Sequence, residues 1–375
     1  AEGVWNAGTD TEDLPVAGTI TFTNPSGTAA TITSTNSHSI AALAGGNSNS
    51  EFYATGATGL TLTGSAVTTF SGRLRGNTKL THNGTGSLTL NGSNTFTGAT
   101  TLNAGTLALG ASGSISGTPS ITIASGANFN VSALAAGFTL GSGKTISGNG
   151  TVTGNLTASS DATLSPGGSG VGTLTLTNGL TLAAGSHLDL DLNGPTTHDS
   201  ITVSGGNVSL AGSLDATLGY SPAIGDTLYL LRNTGTGTTT GTLSGIADGG
   251  KIDLGGKWWR VSFTSDFGGA GFLTNGAGND VAIQRIDDPS PGGPAIATVG
   301  ATTGQLVNLS ITWLDNATTE TGYRIYQVLD DGSLLLLTTL PANATSFSNT
   351  VANYSSHRYA IQAIGAAGNL GDLSY

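Results

Sequence analysis

The chain has 375 residues with 60 Gly, no Cys and no Met, and its 11 Lys+Arg against 22 Asp+Glu give a formal net charge of −11. Without cysteine there is no disulfide framework and no thiolate metal site. So few basic residues cannot build a stripe that neutralises phosphates, which excludes nucleic acid as an expected partner. The longest purely aliphatic run, Leu334 to Leu337, is far short of the roughly 20 residues that a membrane-crossing helix needs.

The chain opens on Ala1 rather than Met, which reads as an exported protein whose signal peptide has been removed. Val4 and Trp5 precede an acidic loop of Asp10, Glu12 and Asp13 that ends at Pro15. Residues 1–18 are therefore expected either to cap the first rung of a stacked β fold or to be donated as a strand to a neighbouring subunit.

From Thr19 onward the chain reads as short apolar pulses at every second residue. Examples are Leu60/Leu62, Leu88/Leu90, Leu107/Leu109, Ile121/Ile123, Leu174/Leu176, Leu188/Leu190/Leu192 and Val208/Leu210, with Gly, Asn or Ser closing each. Alternation puts the apolar side chains on one face of a strand and Thr or Ala on the other. No stretch carries a helical apolar period behind a capping residue. Pulses this short cannot bury a face alone, so successive turns must stack. The expected fold is all-β: a parallel β-helix over residues 19–286, with rungs of about 20 residues, hence roughly 13 rungs rising about 60 Å. An antiparallel sandwich is the runner-up, because Asn83-Gly84, Asn91-Gly92, Asn149-Gly150 and Asn178-Gly179 are also hairpin turns.

At these residues the chain resembles a known family. GSLTLNGSNTFTGATTLNAGTLALG over residues 86–110, then Gly148 to Leu156, Ala162 to Gly167, Gly172 to Leu174 and Gly225 to Leu231, resemble the autotransporter-associated β-strand repeat of Gram-negative passenger regions. The resemblance covers roughly residues 60–285 and implies a secreted β-helix with no particular activity.

Catalytic and metal signals are weak. Asp189, Asp191 and Asn193 alternate with Leu188, Leu190 and Leu192, so they are expected on a wet strand face rather than around calcium. His198-Asp199-Ser200 is not a triad, because adjacent strand residues face opposite ways. Gly143-Lys144-Thr145 lacks the preceding glycine and the helix of a phosphate loop. Trp258 and Trp259 cannot both point inward, so one is expected at a contact. No catalytic, cofactor-binding or metal-ligating residue is assigned, and no cofactor is expected.

Residues 287–294, DDPSPGGP, cannot form a sheet ladder and read as a stiffened linker. Beyond it, alternating strands at Leu309 to Trp313, Gly322 to Tyr326, Ser333 to Leu337 and Tyr359 to Ala363 predict a small antiparallel β-sandwich over 295–375. The order Trp313, Asp315-Asn316, Glu320 to Tyr323, His357 to Tyr359 and Ala366 to Asn369 resembles a bacterial fibronectin type III domain. That family continues into a final alternating strand, whereas the chain here reads LGDLSY over residues 370–375, so the last strand is either very short or missing. Val4, Trp5, Leu373 and Tyr375 are accordingly the candidate subunit contacts.

Together these readings predict a non-enzymatic extracellular structural protein of a Gram-negative bacterium, self-assembling head to tail into a surface fibre or matrix by strand addition. The alternative is a monomeric adhesin or glycan-binding passenger, with surface glycans as partners. A carbohydrate-cleaving β-helix is weaker, since Lys144 is the only basic residue between Lys79 and Arg232.

Overall fold

The computed structural model describes residues 4–7, 18–23, 28–243, 245–273, 276–286, 295–299, 306–315, 320–352, 357–365, 370–371 and 373–375. The Pro/Gly segment 287–294, read as a linker, lies outside them. Among the described residues every regular element is a strand. The chain divides into two compact units: residues 1–221, 227–250 and 261–283 form one, and 222–226, 251–260 and 284–375 form the other.

The first unit is a parallel solenoid. One face stacks nine strands, from His38–Ile40 to Ser213–Leu218, each joined to a strand one turn away. A second face stacks Thr19–Phe22 to Thr227–Asn233 in the same way. The third face is divided. Four strands from Val4–Ala7 to Arg73–Gly76 serve the N-terminal turns, and five from Phe138–Leu140 to Thr239–Gly241 serve the later ones. Pairings such as Leu60↔Leu80 and Leu88↔Leu107 are parallel, which removes the antiparallel sandwich as a description of this part. The Asn-Gly pairs are corners between faces: Asn83 accepts from Asn103 Nδ2 one turn on, at 2.7 Å.

About nine turns form, not thirteen, because most turns are longer than 20 residues, as at Thr19↔Ala42 and Gly45↔Phe70. Hydrogen-bonded neighbours are 20 residues apart at Asn83 and Asn103, 25 apart at Thr122 and Ser147, and 27 apart at Thr173 and Ser200. Nine strands at the sheet spacing rise about 40 Å. The extra residues go into corners, which leaves the apolar register intact.

The core is the column of inward side chains that the pulses announced. Leu60, Leu62, Leu88, Leu90, Leu107, Leu109, Ile121, Ile123, Leu174, Leu176, Leu188, Leu190, Leu192, Val208 and Leu210 are all buried. Phe129 stacks in register between Leu107 and Val152, with its ring 5.1 Å from that of Phe138 in an edge-to-face pair. Burial of such side chains contributes roughly 1.5–3 kcal/mol each. Between the two halves of the third face, side chains stand in for strand ladders. Buried Asn94 accepts from the Leu74 N–H at 2.8 Å and donates to the Gly92 carbonyl at 2.8 Å. Buried Thr118 donates to the Gly98 carbonyl at 2.8 Å. These inward polar residues interrupt the alternation without leaving backbone groups unpaired.

The last solenoid turn is closed by Asp280. Its carboxylate accepts from the Asn233 and Phe267 N–H groups, each at 2.7 Å, while Phe267 packs edge-to-face on Tyr229 and lies 3.6 Å from the Arg232 guanidinium carbon. Burial raises the Asp280 carboxyl above its usual value of 3.8, against the pull of those two N–H groups and Arg232. A raised folded-state value means that the native protein holds this proton more tightly than the unfolded chain. The stabilisation is then complete below the ordinary carboxylate value and disappears as pH rises through the folded one. Asp280→Asn is expected to flatten this slope. The wild-type unfolding midpoint should fall relative to the variant's as pH rises above the ordinary carboxylate value of 3.8 and through the raised folded-state one, as followed by thermal unfolding across a pH series. Parallel pH curves would show that the group does not titrate in this way.

In the second unit, Lys251–Leu254 pairs antiparallel with residues 257–260, with Trp259 buried and Trp258 half-buried. Two three-stranded antiparallel sheets complete it. One pairs Ala295–Val299, Leu306–Thr312 and Ser346–Ala352; the other pairs Leu334–Pro341, Glu320–Val328 and Arg358–Gly365. Ile311 from the first sheet shares one core with Tyr323, Ile325, Tyr359 and Ile361 from the second, beside Trp313. The Tyr323 hydroxyl donates to Asp315, and its ring meets that of Trp313 at 5.7 Å. The expected short final strand takes the form of two isolated antiparallel bridges onto Arg358–Gly365, Ile364↔Leu370 and Ile361↔Ser374.

Candidate functional site

Stacking in register turns each outward position into a ladder. On the nine-stranded face, Ser39, Thr61, Thr81, Thr101, Thr122, Ser147 and Ser165 succeed one another. On the later third face, Thr139, Thr157, Thr181, Ser209 and Thr240 do the same. Such columns repeat a hydroxyl at the strand spacing of about 4.8 Å. They form a hydrated, uncharged surface on a rigid backbone.

Charge breaks this uniformity in two places: on the nine-stranded face the ladder runs from Ser165 into Asp189 and Asp215, beside His187, and a second cluster stands on the N-terminal part of the third face. Strands Ser50–Ala54 and Arg73–Gly76 pair in parallel, with Glu51 opposite Arg73 and Tyr53 opposite Arg75. The Glu51 carboxylate, with 15% of its side chain exposed, accepts from Arg73 Nη2 at 2.8 Å and from Arg75 Nη1 at 2.9 and 3.0 Å. The Arg75 guanidinium carbon lies 5.7 Å from the Tyr53 ring centroid, and Tyr53 is 38% exposed. Sequence reading passed over this cluster because Glu51 and Arg73 are 22 residues apart. The available signal was the alternation Arg73-Leu74-Arg75 one turn after Glu51-Phe52-Tyr53.

The acids and histidines weighed in the sequence are dispersed or structural. Asp189 is exposed and accepts from Ser165 Oγ at 3.3 Å; Asn193 is exposed and Asp191 half-buried. Asp199 is buried and clamps two backbone N–H groups, those of Gly172 at 2.8 Å and Asp191 at 2.9 Å. Burial raises its carboxyl above the ordinary value, and the two N–H groups oppose that rise. Both ring nitrogens of His198 meet backbone carbonyls, those of Gly194 and Tyr229. His187 Nδ1 lies 2.6 Å from Asp215 Oδ2 and 3.1 Å from Ser213 Oγ. Both contacts fall on the same nitrogen, whereas a catalytic relay uses both sides of the ring. The Lys144 ammonium donates to the Ser116 carbonyl. Among the described residues no group of three or more His, Cys, Asp or Glu is arranged to hold a metal, and no helix is long and apolar enough to cross a membrane.

Of the candidate subunit contacts, the Val4 and Trp5 backbone lies in the strand Val4–Ala7, which pairs in parallel with Ala30–Ser34 of this chain; their side chains are outside the described residues. Leu373 is half-buried, and Tyr375 is 69% exposed.

Comparison with known proteins agrees with the geometry of the solenoid. Residues 80–109 match the family described as the passenger-associated-transport-repeat. The adhesin BmaC autotransporter of Brucella suis biovar 1 (strain 1330) is 34% identical over 203 residues, 49% of this chain. The chain spans only 6% of that relative's length. A crystal structure of a beta-1,2-glucanase from Parabacteroides distasonis aligns with 27% of this chain and 16% of that one, at 15% identity and a TM-score of 0.19, too low to carry an argument. The chain is thus a parallel β-solenoid of about nine turns that carries a passenger-associated-transport-repeat at residues 80–109.

Proposed function

We propose that this chain is a non-enzymatic adhesin-type protein of a Gram-negative cell surface, in which the solenoid is a stiff scaffold that displays its outward side chains. The observation that carries this reading is the stacked register of outward ladders, hydroxyl-rich over most of their length, in a chain 34% identical over 203 residues to an autotransporter adhesin. Such a surface is solvated without charge repulsion and can lie close against another surface. The test is display of the chain on a non-adherent bacterium, with attachment to host-cell and matrix-coated wells counted against an empty display vector. Raised attachment supports the reading, and attachment equal to the vector's overturns it.

A finer reading makes the protein a fibre subunit whose terminal sandwich, similar to a fibronectin type III domain, and whose first strand are the joints. It is favoured by the edge strand Leu334–Pro341, which exposes Leu334, Leu335 and Leu336, since exposed apolar edges promote strand addition. The Val4–Ala7 strand adds only four paired residues at the edge of its sheet, so the same pairing can form between subunits at little cost. Deletion of residues 1–8 is expected to convert fibres into single particles in negative-stain micrographs. Normal fibres without those residues would reject strand addition.

A further inference from the structure

We infer that Tyr53, Arg73 and Arg75 form a binding site for an acidic saccharide, one that bears a carboxylate or a sulfate. This rests on the surface-protein reading above and names a ligand class for it. The first ground is charge. Between Glu51 and Asp161 the only charged residues are Arg73, Arg75, Lys79 and Lys144, so three of those four cations fall within seven positions of a chain whose net charge is −11. A structural ion pair across two strands needs one guanidinium for one carboxylate. Here Glu51 is shared by two, which leaves a net positive patch on a wall that is otherwise neutral.

The second ground is geometry. The bonds to Glu51 use Nη2 of Arg73 and Nη1 of Arg75. The other terminal nitrogen of each guanidinium has no partner among the described residues, and the buried Nε of Arg73 has none either. Glu51 thus acts as a positioning residue that holds both planar forks in place, and fixed guanidinium forks suit bidentate recognition of oxyanions. Beside them Tyr53, 38% exposed with the Arg75 guanidinium over its ring, offers aromatic surface to which a sugar ring can be applied while its acidic group meets Arg75 one strand away. The ring face and guanidinium are neighbours in register, and the outward hydroxyl of Thr33 stands opposite Tyr53 on the other side. Aromatic face, hydroxyl and paired guanidinium together match the three features of an acidic sugar: an apolar ring face, hydroxyls and an anion.

The full chain should be titrated calorimetrically with three probes: a galacturonate hexamer, a sulfated maltohexaose and neutral maltohexaose. Binding of at least one acidic probe without binding of maltohexaose is expected. Which acidic probe binds separates a carboxylate ligand from a sulfate ligand. R73A/R75A should lose tenfold or more in affinity. Arg75→Lys, which keeps the charge but not the fork, should lose severalfold, and so should Tyr53→Ala, which leaves both ion pairs intact and covers the case in which the double variant misfolds. Lys144→Ala, which removes the same charge elsewhere, should bind as wild type does. The site is overturned if neither acidic probe binds wild type, if the Arg and Tyr variants bind unchanged, or if Lys144→Ala weakens binding equally. Surface attachment that persists while acidic probes fail would remove this site and leave the adhesin reading standing.

Discussion

Phe129→Ala is expected to lower the unfolding free energy by about 3–5 kcal/mol, the range for truncating a fully buried aromatic side chain. Phe129 is fully buried, stands in the inward column between Leu107 and Val152, and loses an edge-to-face partner in Phe138. The side chains lining the cavity, Leu107, Val152 and Phe138, sit on strands fixed by hydrogen-bonded ladders, so the walls can collapse little. In a stack where each turn touches only its neighbours, the damage should also be local. Amide exchange should accelerate first in the strands Thr106–Leu109, Asn128–Asn130 and Thr151–Thr153, and last around Leu43. Chemical denaturation gives the magnitude and mass-resolved exchange the location. A loss under about 1 kcal/mol, or acceleration spread evenly over the solenoid, would contradict this account of the core.

Gly92→Val should cost about 3 kcal/mol, at the upper end of the range for overpacking. A Cβ at Gly92 would lie 1.8 Å from the Gly72 carbonyl oxygen, and one at Gly72 would lie 2.5 Å from the Ser50 carbonyl oxygen. At Gly92 the nearest atoms are all backbone, those of Gly72 and Ser71, so no side chain can yield. Any shift also disturbs the Gly92 carbonyl, which accepts from the Ser114 N–H at 3.2 Å and from Asn94 Nδ2 at 2.8 Å. Gly56→Ala is the control, because nothing lies within 4 Å of its added Cβ; it should stay within about 0.5 kcal/mol of wild type. Calorimetric unfolding of the two variants decides the matter. Equal melting temperatures would mean that corner stacking is not tight.

Much of this architecture can be read before any coordinates. Leu88-Thr89-Leu90 and Leu107-Ala108-Leu109 reveal their inward faces because a strand has a period of two, and each of the four leucines is buried. The number of turns is harder, since corner residues carry no period: the variation between 20 and 27 residues per turn leaves the apolar pulses unchanged. The Glu51, Arg73 and Arg75 cluster is harder still. Its members meet only through the stacking register, and one residue of difference in corner length would send them to opposite faces. Buried Asn94 and Thr118 are hidden for another reason: Asn and Thr are also common turn residues of this chain, and only the missing strands of the third face show why they turn inward.

The division of that third face has a mechanical consequence. Elsewhere each turn is tied to the next by three strips of backbone hydrogen bonds, whereas between Arg73–Gly76 and Phe138–Leu140 one strip is replaced by isolated ties such as the Ser93↔Ser114 bridge and the Asn94 amide. Under axial tension the load there falls on two strips and on scattered backbone and side-chain bonds, such as Thr95 N–H to the Leu74 carbonyl. Stretching in an optical trap would part the stack at this seam first, so the turns on either side would come away as two blocks rather than unravel one by one from an end.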